Sequence, residues 1–485
     1  MLLYVLNHPY RYELENLCRV FYPDEKIQVK QTAERFSFRR ARLVQSITAV
    51  TQITKEKLIV KLYHPSSLTA LHSPRTENNE LRLAQMLFAL LQKATGCTPP
   101  WGLLTGVRPS KLMLRLRRDI GAAQAALYFR ETLWVSEEKT ALAAAVAQAE
   151  EPTLALTGPR SFSLYVSIPF CPSRCAYCSF VSHTVDRQSA QKLIPAYVER
   201  LCEELACTGR IANELGLKLE SVYIGGGTPT SLNAAQLARL CRALHTHFDI
   251  SGEFTAEAGR ADTITEEKLL VLLEHGVTRL SVNPQSMNDG VLALARRKHT
   301  AEDVLRRFGL ARGLGFGNIN MDLIAGLPGD SPAGFRYSLE TLLGLRPENI
   351  TVHTLALKRA AALEESGIRG QASGVADMLH IASGLLPAAG YAPYYMYRQS
   401  RSLGNLENIG WALPGRHCRY NIDMMEESHT ILACGAGGVT KLKQWGTDHL
   451  ERVFGLKYPY EYLARFEELM ARKERIKAFY GAYNS

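Results

Sequence analysis

Three cysteines set the chemistry available to this chain. Cys171, Cys175 and Cys178 form a C-x3-C-x2-C cluster within Tyr165 to Phe180, YVSIPFCPSRCAYCSF, directly after an apolar, β-branched run that reads as a buried strand. Soft thiolates gathered on one short loop suit zinc or an iron–sulfur cluster, since both accept sulfur donors. A closed structural zinc site takes four ligands, usually as two separated pairs, and the chain has no second C-x2-C pair. A [4Fe–4S] cluster on three cysteines leaves one iron open to a further ligand. The other cysteines, Cys18, Cys97, Cys202, Cys207, Cys241, Cys418 and Cys434, are irregularly spaced and read as reduced thiols that pack as small hydrophobes. Cys434 stands apart because it precedes the turn Gly435-Ala436-Gly437-Gly438.

Further polar motifs follow candidate strands. Gly225-Gly226-Gly227-Thr228-Pro229-Thr230 lets backbone approach a ligand where a Cβ would clash; a tight βα turn accounts for the same run. Glu257 and Arg260, then Asn283 and Gln285, then Asp322 with Gly326-Leu327-Pro328-Gly329, come at the ends of the next three strands. Such carboxylates and amides hydrogen-bond ribose and adenine, or cap their own turns.

The elements that must position these residues alternate. Candidate strands span 163–170, 221–226, 253–259, 279–285, 318–326 and 349–357, separated by helical stretches at 189–216, 234–247, 265–275, 301–313 and 332–345. Six β units with crossover-length helices predict an α/β protein with a parallel sheet and right-handed crossovers. The sheet closes into a full or partial (β/α) barrel, with ligands at the C-terminal strand ends. A doubly wound open sheet is the alternative.

Residues 1–155 read as a separate α+β domain. MLLYVL and KIQVKQ are strands around a helix at 13–21, 43–63 is a hairpin or meander, and 78–94 is an amphipathic helix carrying Leu81, Leu83, Met86, Leu87 and Leu90. The turn from Thr105 to Lys111, TGVRPSK, either binds an anion or caps a helix at Ser110. A Leu/Ala-rich helical region at 122–149 ends at Glu150-Glu151-Pro152, a predicted linker. The barrel core is expected over 156–375, and an extension over 376–485 is expected to cover its mouth. That extension carries a helix at 375–386, a Tyr-rich strand at 391–398, the turn-rich GNLENIGWALPG and a final amphipathic helix over 460–479.

A chain of 485 residues predicts two to four domains. The net charge of +10 and pI near 9.0 favour an anionic ligand without choosing its class. No block of like charge supports nucleic-acid binding. The N-terminus lacks the basic start and cleavage site of a signal peptide, and no apolar run approaches a membrane span, so a cytoplasmic protein is expected.

Together the motifs resemble the radical S-adenosylmethionine (SAM) superfamily from about Ser163 to about Lys358. YVSIPFCPSRCAYCSF, YIGGGTPTSL, Gln285-Ser286-Met287-Asn288 and NMDLIAGLPGD are similar to the oxygen-independent coproporphyrinogen III oxidase group. The flanks TGVRPSKL, FTAEAGRADTI, NPQSMND, VHTLALKRA and NLENIGWA resemble its coproporphyrinogen dehydrogenase branch, HemZ. The resemblance implies that Cys171, Cys175 and Cys178 hold a [4Fe–4S] cluster whose open iron is chelated by SAM. It places Tyr165 beside the cluster, Gly226, Gly227 and Thr228 on the methionine part of SAM, and the Ala356 backbone on its adenine. Glu257, Gln285, Arg297 and Asp322 match further SAM-binding positions. The implied reaction cleaves SAM to a 5′-deoxyadenosyl radical, which takes hydrogen from a propionate of coproporphyrinogen III; loss of CO2, and of one electron to a final acceptor, leaves a vinyl group. A low-potential donor such as flavodoxin or ferredoxin is the implied source of electrons.

The four substrate carboxylates suit the positive balance and the cations Lys358, Arg359, Arg398, Arg401, Arg416 and Arg419. The chain departs from the classical oxidase at Ser167, where that family has histidine, and at Phe180, where it has a fourth cysteine. The related haem chaperones carry H-N-x-x-Y-W where this chain reads Tyr420-Asn421-Ile422-Asp423-Met424-Met425.

Overall fold

The computed structural model describes residues 1–32, 47–64, 67–180, 183–185, 188–357, 374–399 and 401–483. They divide into two compact units, Met1–Ala144 and Ala145–Ser485. The stretch Glu150-Glu151-Pro152, predicted as a linker, lies inside the helix Glu137–Ala155. Glu150 is fully buried there, and Pro152 falls in the last turn, where its missing N–H forgoes one i→i−4 hydrogen bond close to the helix end.

The first unit is the expected α+β structure. Its sheet has the order β2-β1-β3-β4-β5, with β1 Leu2–Leu6, β2 Gln28–Thr32, β3 Thr48–Ile53, β4 Lys57–His64 and β5 Ser67–Pro74. β1 runs parallel to both β2 and β3, while β3, β4 and β5 form an antiparallel meander. The helices Arg11–Phe21 and Asn79–Thr95 pack Leu14, Leu17, Leu83, Leu87 and Leu91 onto Leu3, Val5, Leu58 and Val60. Ser110 is not a cap. The helix Pro109–Ile120 has Arg108 at its N-cap, and Ser110 is buried one position inside.

The second unit is built on an eleven-stranded sheet in the order β14-β15-β13-β12-β11-β10-β9-β6-β16-β17-β18. Its centre is the predicted series: β6 Ser161–Ile168, β9 Lys218–Gly226, β10 Glu253–Glu257, β11 Arg279–Ser281, β12 Ile319–Ala325 and β13 Asn349–Thr354. All are parallel and lie side by side in chain order. That sequential order excludes the doubly wound alternative, whose strand order reverses at a switch point. The sheet stays open, so it is a partial barrel. Seven of the eight residues of β6 are buried, Ser161, Ser163 and Ser167 among them, as expected of a parallel strand covered on both faces.

Helix limits follow from caps. Asn233 and Gln236 form a capping box at Ala234–His247, Thr300 and Asp303 form another at Ala301–Gly313, and Ser331 with Pro332 starts Pro332–Leu345. These three helices have the limits expected from the sequence.

The region after 376 joins the sheet at both edges. β14 Ala392–Arg398 and β15 Glu407–Ala412 extend it antiparallel beyond β13. β16 Thr430–Cys434 lies parallel to β6, followed by the antiparallel β17 Val439–Lys443 and β18 Leu450–Phe454. β15 corrects the turn-rich reading of GNLENIGWALPG: all six of its residues are buried. Gly410 marks a close approach rather than a turn, because a Cβ there would lie 1.8 Å from the ring of Tyr395. The single final helix is three short ones, Pro459–Ala464, Phe466–Arg472 and Glu474–Tyr483. The first break is at Arg465, which leaves helical geometry at φ −119°. Near the second, Lys473 turns inward to Glu204 at 2.7 Å.

Candidate active site

The cysteine loop leaves the C-terminal end of β6. β7 Phe170–Cys171 pairs with β8 His183–Thr184, and the Val185 amide donates to the Cys171 carbonyl at 2.9 Å. The glycine turn after β9 closes directly on this loop. The Gly227 amide donates to Ile168 O at 2.8 Å and the Thr228 amide to Phe170 O at 2.7 Å, while the Thr228 hydroxyl lies 3.5 Å from Cys171 Sγ. Gly227 has no room for a side chain: a Cβ would lie 2.6 Å from Phe170 O and 3.0 Å from Cys171 Sγ. Gly226 sits at φ +112°, a conformation that favours glycine.

Two buried guanidiniums face Cys175. Arg260 Nη1 lies 3.6 Å from Cys175 Sγ and donates to Ser173 O and Oγ at 3.1 and 2.9 Å. Arg297 Nη1 donates to Tyr177 OH at 2.8 Å and faces Cys175 Sγ at 3.9 Å, while Nη2 donates to Gly259 O and Asn283 O at 3.1 and 2.7 Å. Arg297 Nε points to His299 Nε2 at 3.4 Å. The thiol of Cys178 is pushed up to about 11, by burial first; the Phe180 backbone opposes this and the neighbouring Cys175 and Cys171 add to it.

The other strand ends bring carboxylates and amides to the same end of the sheet. Glu257 closes β10 and accepts a short hydrogen bond from Tyr223 OH. Burial raises its pKa from 4.5 to about 7; Tyr223 opposes the rise, the Asp322 charge adds to it, and the Gly226 amide and His353 oppose it further. Burial also pushes Asp322 upward, but His353 and hydrogen bonds from Asn320 and Thr351 leave its pKa below the ordinary carboxylate value. His353 Nε2 is 3.6 Å from Asp322 Oδ2. Gln285 adopts φ +70°, held by bonds from its amide to Asp322 O and from the Ile324 amide to its carbonyl. Its side-chain Oε1 and that of its neighbour Asn283, Oδ1, are buried without a hydrogen-bond partner. Ala356 forms an isolated antiparallel bridge with Ser402. The bridge bonds run from Leu357 N to Arg401 O and from Leu403 N to Leu355 O, leaving the Ala356 amide and carbonyl out of it.

Three tyrosines floor this end of the sheet. Tyr165 stacks on Tyr223 and on Tyr420 at 6.3 Å each, and Tyr223 stacks on Tyr420 at 4.4 Å. Tyr420 comes from the late helix Arg419–Glu426, and its hydroxyl is buried without a partner. Sequence reasoning set this segment against the haem-chaperone motif and missed its place under the site. Arg260 was noted only as a strand-end residue, and no spacing signal ties it to Cys175.

The expected substrate cations separate. Arg398, at the C-terminal end of β14, is buried and donates to Asn405 O at 3.1 Å. The Arg401 carbonyl accepts from Leu357 beside it. Arg416 and Arg419 lie at the opposite end: Arg279 at the start of β11 donates to Arg416 O, and Arg419 pairs with Glu220 at 2.8 Å. Both are therefore remote from the cysteine loop. Lys358 and Arg359 fall outside the described residues.

Ser167 is buried, and its hydroxyl donates to Ala436 O at 2.7 Å; Phe180 is exposed. Cys434 packs behind the Gly435 turn, its Sγ 3.3 Å from Thr208 Oγ1 and its thiol pushed up to about 12, mainly by burial.

The radical SAM superfamily model matches residues 165–342, and the chain is 38% identical over 394 residues to the oxygen-independent coproporphyrinogen-III oxidase-like protein HemZ of Bacillus subtilis. That match covers 79% of this chain and 78% of the relative. The chain belongs to the radical SAM superfamily, in its group of oxygen-independent coproporphyrinogen III oxidase-like proteins. It is also 37% identical to the heme chaperone HemW of Bacillus subtilis over 200 residues, 40% of this chain and 51% of that one. Among solved structures it is similar to coproporphyrinogen III oxidase HemN from Escherichia coli, a radical SAM enzyme. The TM-score is 0.54 at 24% identity, covering 67% of this chain and 73% of that one, a likeness of fold.

Superfamily membership brings a [4Fe–4S] cluster and SAM as cofactors. The residues present fit both. Cys171, Cys175 and Cys178 lie on one loop and form no disulfide, and the glycine turn packs against Cys171. Among the described residues no three metal-ligating groups converge on a single ion; a cubane asks for something else, one thiolate on each of three irons around a shared space. The unpartnered Gln285 Oε1 and the Ala356 amide and carbonyl, which make no hydrogen bond among the described residues, suit a ligand that brings its own hydrogen-bonding groups. Among the described residues no helix is long and apolar enough to cross a membrane.

Proposed function

We propose that this chain carries out the oxygen-independent oxidative decarboxylation of coproporphyrinogen III to protoporphyrinogen IX in the cytoplasm. One observation carries the reading: the end of the sheet that holds the cysteine loop also gathers a bare glycine turn, the Glu257 and Asp322 carboxylates, an unpartnered Gln285 Oε1 and the Ala356 backbone, which makes no hydrogen bond among the described residues. The 38% identity to a coproporphyrinogen oxidase-like relative over 79% of the chain supports the tetrapyrrole as substrate.

In this reading Cys171, Cys175 and Cys178 would hold the cluster, and Tyr165 would lie beside it. Gly226, Gly227 and Thr228 would receive the methionine part of SAM, with Glu257, Gln285, Arg297 and Asp322 binding the rest and the Ala356 backbone meeting the adenine. A reduced cluster held there would supply the one electron needed for reductive cleavage of SAM to methionine and a 5′-deoxyadenosyl radical. The protein's part is to orient and to exclude water, which would otherwise compete for a reactive intermediate. The Tyr165, Tyr223 and Tyr420 stack closes the floor, and Tyr223 with the Gly226 amide holds the Glu257 carboxylate in place. Arg401, at the cysteine-loop end, is the described candidate for a substrate carboxylate. Flavodoxin or ferredoxin is the proposed donor class.

A haem-transfer role is the second reading, favoured by the 37% identity to a heme chaperone over 200 residues. The burial of Tyr420 in the tyrosine stack, and the contact of Met424 Sδ with Lys441 Nζ at 3.0 Å, weigh against that segment as a haem ligand. The test is anaerobic product analysis of the reconstituted, reduced protein with SAM and a panel of tetrapyrroles. Production of 5′-deoxyadenosine together with a divinyl porphyrinogen is expected. SAM cleavage with no tetrapyrrole product would count against the substrate, and tight haem binding without turnover would favour the second reading.

A further inference from the structure

The residue nearest Cys175 with no role in the scheme above is Arg260. It follows β10 and is 3% exposed, so its charge must be held by specific partners. One edge of the guanidinium is gripped by Asp262: Nε donates to Oδ1 at 3.0 Å and Nη2 to Oδ2 at 2.8 Å. His299, fully buried in its side chain, backs the same carboxylate at 3.8 Å. The opposite corner, Nη1, donates to Ser173 O and Oγ within the cysteine loop and lies 3.6 Å from Cys175 Sγ. A bidentate Arg–carboxylate pair fixes the plane of the guanidinium, so the direction of Nη1 is set by Asp262 rather than by the loop it touches.

We propose that Arg260 is a positioning residue for the cluster: aimed by Asp262, it ties down the cysteine loop at Ser173 and donates an N–H hydrogen bond to the Cys175 sulfur. The proposal rests on the reading of Cys175 as a cluster ligand. Hydrogen bonds to cluster sulfurs are one of the levers that set reduction potential. Adding an electron places more negative charge on the thiolate sulfurs, so a buried cation donating to one of them favours the reduced form. Arg260 therefore raises the midpoint potential and eases the one-electron reduction on which SAM cleavage depends. Arg297, with its other N–H groups turned to Tyr177, His299, Gly259 and Asn283, adds a weaker contact at 3.9 Å.

The experiment compares wild type, Arg260→Gln, Arg260→Lys, Asp262→Asn and Cys175→Ser, each full-length and anaerobically reconstituted. Iron and sulfide content, a mediated redox titration followed by electron paramagnetic resonance, and SAM affinity are measured on each. Arg260→Gln is expected to fall about tenfold in the ratio of reduced to oxidised cluster at a fixed potential, a shift of about 59 mV to more negative values for one electron. Arg260→Lys recovers part of it, and Asp262→Asn shifts the same way by less. If Arg260→Gln does not keep its cluster, the lysine and Asp262→Asn variants decide. Wild-type potentials in every variant that keeps its iron would overturn the proposal. Undiminished iron and sulfide in Cys175→Ser would instead overturn the ligand assignment beneath it.

Discussion

Tyr223 donates its hydroxyl hydrogen to the Glu257 carboxylate, joining neighbouring parallel strands β9 and β10 at the floor of the site. The bond fixes where a carboxylate raised to near neutrality points. Glu257 closes β10 and Tyr223 lies three residues before the end of β9, and both meet Gly225, where a Cβ would lie 2.9 Å from Glu257 Oε2.

Glu257 should make SAM binding pH-dependent. Its pKa is raised by burial from 4.5 to about 7, so its capacity as a charged acceptor develops as pH rises through neutrality. Calorimetric SAM affinity is expected to strengthen across that range in wild type and to lose the dependence in Glu257→Gln. The sign for stability is opposite. Between pH 4.5 and about 7 the folded chain keeps a proton that the unfolded chain has released, so ligand-free stability from this group falls as pH rises through the window.

The cysteine assignment separates thiols by position. Cys175→Ser should abolish the brown absorbance and SAM cleavage, and Cys171→Ser and Cys178→Ser should behave likewise. Cys97→Ser, on an exposed thiol of the first unit, should keep full iron content. A Cys175→Ser protein with a complete cluster would refute the assignment.

Gly227 is required by space. A methyl group there meets Phe170 O at 2.6 Å and Cys171 Sγ at 3.0 Å, so Gly227→Ala should weaken SAM binding by at least about tenfold, ~1.4 kcal/mol. Gly309→Ala is the control: it is helical, exposed and has open space around it, and it should gain up to about 1 kcal/mol of stability. Chemical denaturation and SAM titration on the two variants distinguish the effects.

Gln285 trades backbone comfort for an amide. Its φ of +70° costs a non-glycine residue about 1–2 kcal/mol, while its Oε1 is left without a partner inside the protein. Gln285→Gly should therefore keep or raise ligand-free stability while reducing SAM affinity several-fold. Lower stability with unchanged SAM affinity would make Gln285 a structural residue only.

Much of the site was legible because its signals are local. Thiol spacing, glycines at a strand end and helix caps act over a few residues, so Cys171, Cys175, Cys178, Gly227 and the limits of Ala234–His247, Ala301–Gly313 and Pro332–Leu345 can be read along the chain. β15 was hidden because its glycine, which reads as a turn, makes room for a ring from the neighbouring strand. The cation group was misread for the same reason. Only strand direction puts Arg398 and Arg401 at the cysteine-loop end and Arg416 and Arg419 at the other.

By itself, then, the sequence determined the cluster loop, the six parallel strands and the order of the motifs, since alternation and short-range spacing need no partner. Tertiary structure alone decided that the sheet stays open, that the late segment supplies strands to both edges, and that Tyr420 and Arg260 stand beside the site. Each of those depends on contacts between residues far apart in the chain: Tyr420 with Tyr165, and Arg260 with Cys175. Burial makes such contacts necessary, and no local pattern announces them.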